Sequence, residues 1–360
     1  MGLVGVSCSR GYISLADHYQ CMQQPDHPCE FTTDVLDQMT GPNEERVASG
    51  VKFSPSSMLG CRRQAILTRD HDWYLNVSGA WAMQRGHIVH GYAEKFKPPR
   101  GSIGAVREVR LRSMVQTSKG FEWFAGKMDA IIFTKLETIP LSVDEVVDLN
   151  VVAKTVLHVK IIDYKSKGDI GHGPDTHLTN KRLEPTQAAA QRDHQQQINL
   201  YAWLVRNELA NWLNARYRPE DPNFLGWNEY AKLNTTVQDV EHVIPWIDEV
   251  VVDELEIQYV DFAKARRFTS AATLHTRGRR MPDHKTYERL ELLPIFRSSH
   301  DYLTRWITRH IEMAYQAEAE LPPPITGEES KKFCYRCPVR SVCYDVGKAE
   351  GREMAEQAPL

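Results

Sequence analysis

The sequence predicts an α/β protein in which a mixed central sheet is flanked by helices. Three observations carry that prediction. Residues 105–114 and 121–133 alternate with a period of two, as strands of a hairpin do. Residues 156–164, VLHVKIIDY, form a largely apolar, β-branched run. Amphipathic segments with helical spacing stand before and after these runs, which places helices against the sheet.

The elements follow in order. Residues 1–50 contain Pro25, Pro28, Gly41, Pro42 and Gly50 and read as an irregular accessory extension. SPSSMLGCRRQAILTRD, residues 54–70, opens with serines able to cap a helix carrying Met58, Leu59, Ala65 and Ile66. A second helix spans residues 78–96, and the three predicted strands come next. An acidic insertion, 135–153, separates the last two strands, and a Gly/Pro/His-rich loop, 168–182, follows them. A long amphipathic helix covers 184–213, with Pro185 in its first turn. TVQDVEHVIP, 236–245, reads as a strand, and two helices, 247–272 and 294–321, complete the chain before the C-terminal cysteines.

Composition permits much and selects little. The 360 residues are 42% hydrophobic and 25% charged, ordinary for a globular chain. No apolar run approaches the roughly 20 residues of a membrane-spanning helix, so no membrane partner is expected. The N-terminus lacks the pattern of a signal peptide, and seven cysteines form an odd set. A reducing cytoplasm, bacterial or that of a phage host, and metal-binding thiols follow as expectations. Net charge is −3, which advertises no general nucleic-acid field. The basic clusters, Arg62–Arg63 among them, read as solvated faces.

Three stretches look chemical: GHIVH (86–90), GKMDA (126–130) and IIDYK (161–165). Asp129 and Asp163 interrupt apolar β-runs, and alternation puts Asp163 and Lys165 on one strand face with Tyr164 on the other. Buried charges there need a partner or a metal, and a structural salt bridge is one solution. His90 and Glu94 share a helix face, as do Gln197 and Tyr201 in QINLYAW.

In this order the motifs resemble the RecB-type nucleases of the PD-(D/E)XK superfamily, over about residues 54–345. The resemblance implies that His90, Asp129, Asp163 and the Tyr164 carbonyl ligate Mg²⁺ or Mn²⁺. It further implies that Lys165 orients water and meets phosphate charge, while Gln197 and Tyr201 position DNA and the active-site side chains. The implied activity is that of a DNA exonuclease, on single-stranded ends, in recombination, repair, end processing or CRISPR-type spacer acquisition. The other reading is a non-catalytic iron–sulfur or zinc DNA-binding scaffold.

KKFCYRCPVRSVC, residues 331–343, holds Cys334, Cys337 and Cys343 but lacks a fourth thiol. One branch of the same family, the Cas-four-like exonucleases, splits four cluster cysteines as one before the nuclease core and three after it. Cys61, in its serine-rich lead-in, matches the first, although Arg62 stands where that family usually has proline. The resemblance therefore implies a 4Fe–4S cluster on Cys61, Cys334, Cys337 and Cys343, for which zinc is the alternative occupant. The implied organisation is an extension (1–50), a first iron–sulfur and helical part (51–83), a nuclease core (84–320), the cysteine segment (321–348) and a tail (349–360). Related exonucleases can assemble into rings, so an oligomer is compatible. Cys8, Cys21 and Cys29 form a small zinc site or stay as free buried thiols.

Overall fold

The structure, a computed structural model, describes residues 3–8, 11–14, 53–76, 100–141, 153–167, 192–217, 244–261, 266–271, 297–325 and 339–349, with isolated residues between them. The chain divides into two compact units. One comprises residues 1–87, 117–119 and 308–360, and the other residues 88–116 and 120–307.

The second unit is built on a five-stranded mixed sheet. Its strands are β4 (Gly104–Thr117), β5 (Gly120–Pro140), β6 (Ala153–Lys167), β7 (Glu249–Asp261) and β8 (Arg266–Ala271). They lie side by side in that order. β5 and β6 pair antiparallel, β6 and β7 parallel, and β7 and β8 antiparallel. Helix α3 (Arg192–Asn214) packs across β5, β6 and β7. Its apolar face, with Ile198, Leu200, Leu204, Val205 and Leu209, is fully buried. Each such side chain contributes about 1.5–3 kcal/mol by leaving water.

Polar groups register this packing. Asn214 at the end of α3 donates to the Ile247 carbonyl at 2.5 Å and accepts from the Ile247 N–H at 2.9 Å. The Asp248 carboxylate accepts from the Thr155 N–H at 2.7 Å, while the Asp248 N–H donates to the Thr155 carbonyl at 2.9 Å. These two reciprocal pairs fix where β7 enters alongside β6. Farther along, the Asn199 side-chain oxygen accepts from the Ser298 N–H at 2.8 Å, and the Trp203 indole donates to Thr304 at 2.9 Å.

The first unit holds a three-stranded sheet of β1 (Leu3–Cys8), β2 (Gly11–Ser14) and β3 (Trp73–Asn76). It also holds α1 (Pro55–Leu59), α2 (Arg62–Asp70) and α5 (Arg340–Ala349), with α5 against α2. Helix α4 (His300–Ala319) has residues in both units. In the first, Phe53 meets the Tyr315 ring edge-on at 5.9 Å, and the Lys119 ammonium lies 4.0 Å from that ring's centre.

The expected α/β class with a mixed sheet flanked by helices is present. Four sequence assignments need correction. The predicted helix at 247–272 is instead β7 and β8. Asp253, Glu254 and Glu256 resemble a charged helix face, but in the sheet they meet His158 and Lys160 on β6. The single helix at 54–70 is two, because Gly60 and Cys61 are extended and Cys61 caps a new helix. The acidic insertion at 135–153 is strand as far as Pro140 and again from Ala153, where Glu137 pairs with Lys135 and His158. Residues 3–8 and 11–14 are strands, since β1 finds a distant partner in β3 that no local periodicity announces. A helix at Arg340–Ala349 was also not expected from the C-terminal segment. Most of the predicted helix 78–96, the loop 168–182, the start of the long helix and most of the strand 236–245 lie outside the described residues.

Candidate functional site

Two constellations stand out, one in each unit. The first sits on neighbouring strands of the five-stranded sheet. Ala130 pairs with Ile162 across β5 and β6, so the next step of the ladder sets Asp129 beside Asp163. Both carboxylates are buried, with exposures of 8% and 1%. One Asp129 oxygen accepts from the Tyr164 N–H at 2.6 Å. The Lys165 ammonium lies 2.9 and 2.7 Å from the two Asp163 oxygens. The Tyr164 side chain turns to the other sheet face and packs with Ala130, Ile132 and Ile162. The expected division of faces, Asp163 and Lys165 against Tyr164, is therefore the observed one.

Helix α3 brings Gln197 and Tyr201 to the acidic pair. The Gln197 amide donates to the Tyr201 hydroxyl at 2.7 Å, as the spacing of four along a helix allows. Burial, followed by the fields of Asp163 and Asp129, pushes the Tyr201 phenol well above its ordinary range, against a smaller opposing pull from Gln197. Tyr201 therefore stays a neutral hydroxyl in a negative pocket. Gly126 makes this approach possible: a Cβ there would stand 2.9 Å from Leu204 Cδ1 and 3.0 Å from the Tyr201 ring. His90, the remaining member of the expected ligand set, lies outside the described residues.

The second constellation is Cys61, Cys334, Cys337 and Cys343, all unbridged thiols in the same unit. Cys61, Cys334 and Cys343 act electrostatically on other members of the group. Burial first, then the fields of Cys61 and Cys343, push the Cys334 thiol up, and the Arg340 cation opposes them. Burial, partly offset by a hydrogen bond from the Val339 backbone, pushes Cys337 up to about 12. Cys334, Cys61 and Cys343 add to that rise. Cys61 accepts from the Gln64 N–H at 3.4 Å as the N-cap of α2, and Cys343 accepts from Arg63 Nε at 3.2 Å. The sequence reading missed Arg63 by grouping it with Arg62 as a solvated pair; it is 1% exposed. The signal was its position, on the helix that Cys61 starts.

Donor chemistry decides what each site suits. Paired carboxylates in a negative pocket suit a hard divalent cation. Four thiols suit a thiophilic centre. Among the described residues, no group of three or more His, Cys, Asp or Glu is placed to hold a metal ion. For the acidic pair that count stops at two carboxylates, with the third side chain outside the description. The four thiols are all described residues and fall under that statement too. The side chains of Cys8, Cys21 and Cys29 lie outside the description.

Among the described residues no helix is long and apolar enough to cross a membrane. No family model and no curated protein matches the sequence. A solved structure titled "Crystal structure of SSO0001" aligns with 86% of this chain and 96% of that chain. Its TM-score of 0.38 and 11% identity are too low to carry an argument.

Proposed function

We propose that the protein is a divalent-metal-dependent deoxyribonuclease of the RecB-type PD-(D/E)XK kind, an exonuclease acting on DNA ends. One observation carries this reading: Asp129 and Asp163 stand on adjacent strands with Lys165 on Asp163, beside the Gln197–Tyr201 pair. Asp129, Asp163 and the Tyr164 carbonyl, with His90, would hold Mg²⁺ or Mn²⁺. When bound, the cation neutralises charge on the scissile phosphate and activates water for phosphodiester hydrolysis. The protein's own groups do the rest. The Lys165 Nζ lies against Asp163, from where it can turn to developing negative charge on the phosphate. Tyr201, held neutral, and Gln197 offer hydrogen-bond donors without adding charge.

The four cysteines carry a 4Fe–4S cluster in this reading, and DNA is the partner. End processing in recombination, repair or spacer acquisition is the setting that the activity fits. The test uses purified protein on end-labelled single- and double-stranded DNA, with and without Mg²⁺ or Mn²⁺. Cation-dependent shortening from the ends is expected. A protein with intact cluster that binds but never cuts either substrate would be a scaffold instead.

A further inference from the structure

Strands β4 and β5 are neighbours in the sheet, joined through Ser118 and Lys119, and the two faces of this hairpin differ sharply. One face lies under helix α3: the Ser113 hydroxyl donates to Glu208, and Phe124 meets the Trp203 ring edge-on at 5.9 Å. Leu111 and Val115 are buried on that same face. Alternation turns Arg110, Arg112, Met114 and Gln116 of β4, with Phe121 and Trp123 of β5, to the other face. The Arg112 guanidinium carbon stands 4.7 Å from the centre of the Trp123 ring, which puts both outward rows on one side. Phe121 is 69% exposed and Met114 57%, the two most exposed large hydrophobic side chains among the described residues. Apolar surface left in water on this scale is unfavourable, and a partner that covers it recovers the loss. The six outward positions hold two arginines and no acid.

We infer that this outward hairpin face binds single-stranded nucleic acid, with bases stacked on Phe121 beside the Arg112–Trp123 pair and phosphates met by Arg110 and Arg112. The choice of nucleic acid rests on the nuclease reading above, together with the residue types on the face. A second copy of the same face would set arginine against arginine, whereas a polyanion neutralises both. Aromatic rings interleaved with cations suit a strand whose bases are unpaired, because a duplex keeps its base faces inside its own stack. Phe121 stands eight residues along β5 from Asp129, about 26 Å at 3.3 Å per residue. The face is therefore an outlying hold on the strand, separate from the acidic pocket.

The experiment titrates the full chain, without divalent cation so that the strand stays intact, into fluorescein-labelled oligodeoxythymidine and into a blunt duplex of equal length. Phe121→Ala should weaken single-strand binding about 5- to 150-fold, the loss of one stacked base, and leave duplex binding as it was. Its melting curve should match wild type, since the ring is mostly in water. Arg112→Gln should lower the slope of log affinity against log salt by about 0.7, one phosphate contact on a single strand. Phe121→Ala that holds the single strand as tightly as wild type overturns the inference. Equal losses on strand and duplex overturn it too, because stacking needs unpaired bases. Should Phe121→Ala melt early, a wild-type photo-cross-link to 5-iodouracil in the strand decides instead. Cross-links at Phe121 or Trp123 are expected, and cross-links found only elsewhere sink the idea. Wild type that cuts DNA ends while Phe121→Ala binds like it would remove this face alone; wild type that neither binds nor cuts DNA would remove the nuclease reading as well.

Discussion

The acidic site and the cysteine site are assembled over very different spans of chain. Asp129 and Tyr164, which share a hydrogen bond, are 35 residues apart on adjacent strands. Arg63 and Cys343 are 280 residues apart. Sheet register alone brings the first pair together, because one ladder step from Ala130–Ile162 sets the carboxylates side by side. Nothing local sets the second. It exists only when both ends of the chain have been folded into one unit. A change at the acidic site should therefore be felt as chemistry, and a change at the cysteine site as folding.

The largest effect should come from the cysteine side. Cys61→Ala removes one sulfur and the N-cap of α2 together. Cluster iron, labile sulfide and the brown absorption should vanish, and the melting temperature should fall, because metal binding and folding are coupled. Full iron and an unshifted melting curve in this variant would remove Cys61 from the proposed ligand set.

Next come Asp163→Ala and Lys165→Ala. Both should keep cluster and fold while losing nuclease activity, Asp163→Ala nearly all of it and Lys165→Ala about 10²–10³-fold. Salt-dependent DNA binding should persist, since phosphate contacts dominate affinity. Wild-type cleavage by Asp163→Ala would place the chemistry elsewhere, whereas loss of iron from either variant would erase the contrast between the two sites.

Gly126→Ala probes the cradle beneath Tyr201. Its new Cβ would lie 2.9 Å from Leu204 Cδ1 and 3.0 Å from Tyr201 Cε1, so those side chains must give way. Overpacking of this kind costs about 1–3 kcal/mol. Chemical denaturation should read that loss with iron content unchanged, and an unaltered midpoint would show that the helix yields freely.

The smallest effect concerns alkaline pH. The Tyr201 phenol titrates higher in the fold than its ordinary value of 10.0. Its contribution to stability is thus fully present below pH 10 and is lost as pH rises toward the folded value. Tyr201→Phe should flatten that part of the stability curve. Parallel curves for the two proteins would mean that Tyr201 does not sense the acidic pair.

Much of the acidic site was legible because strand alternation and helical spacing are short-range rules. Asp163, Tyr164 and Lys165 take the faces that a period of two assigns, and Gln197 meets Tyr201 one helical turn away. The signals failed where long-range pairing overrides local pattern. β7 looked helical because its acidic residues are matched by Lys160 and His158 on a strand far earlier in the chain. Lys160 shows how completely: burial works against its charge, yet Glu256 and Glu254 outweigh that and hold its ammonium above the ordinary range. Arg63 failed for a related reason. A doubled arginine reads as surface until the half-buried Cys343 sulfur is known to lie beside Arg63.

The parallel seam between β6 and β7 also sets an order of events as the chain folds. β5 and β6 are successive strands, whereas β7 must return from far along the chain to lie against β6. Closing that long loop delays its arrival, because non-local pairings form more slowly than local ones. Until then one edge of β6, with Val156, Leu157, Val159 and Ile161 along its length, is left open. An unpaired, β-branched edge is the place where one nascent chain captures another. The reciprocal Thr155–Asp248 hydrogen bonds stand at the mouth of the seam, where a late strand would first be caught in register.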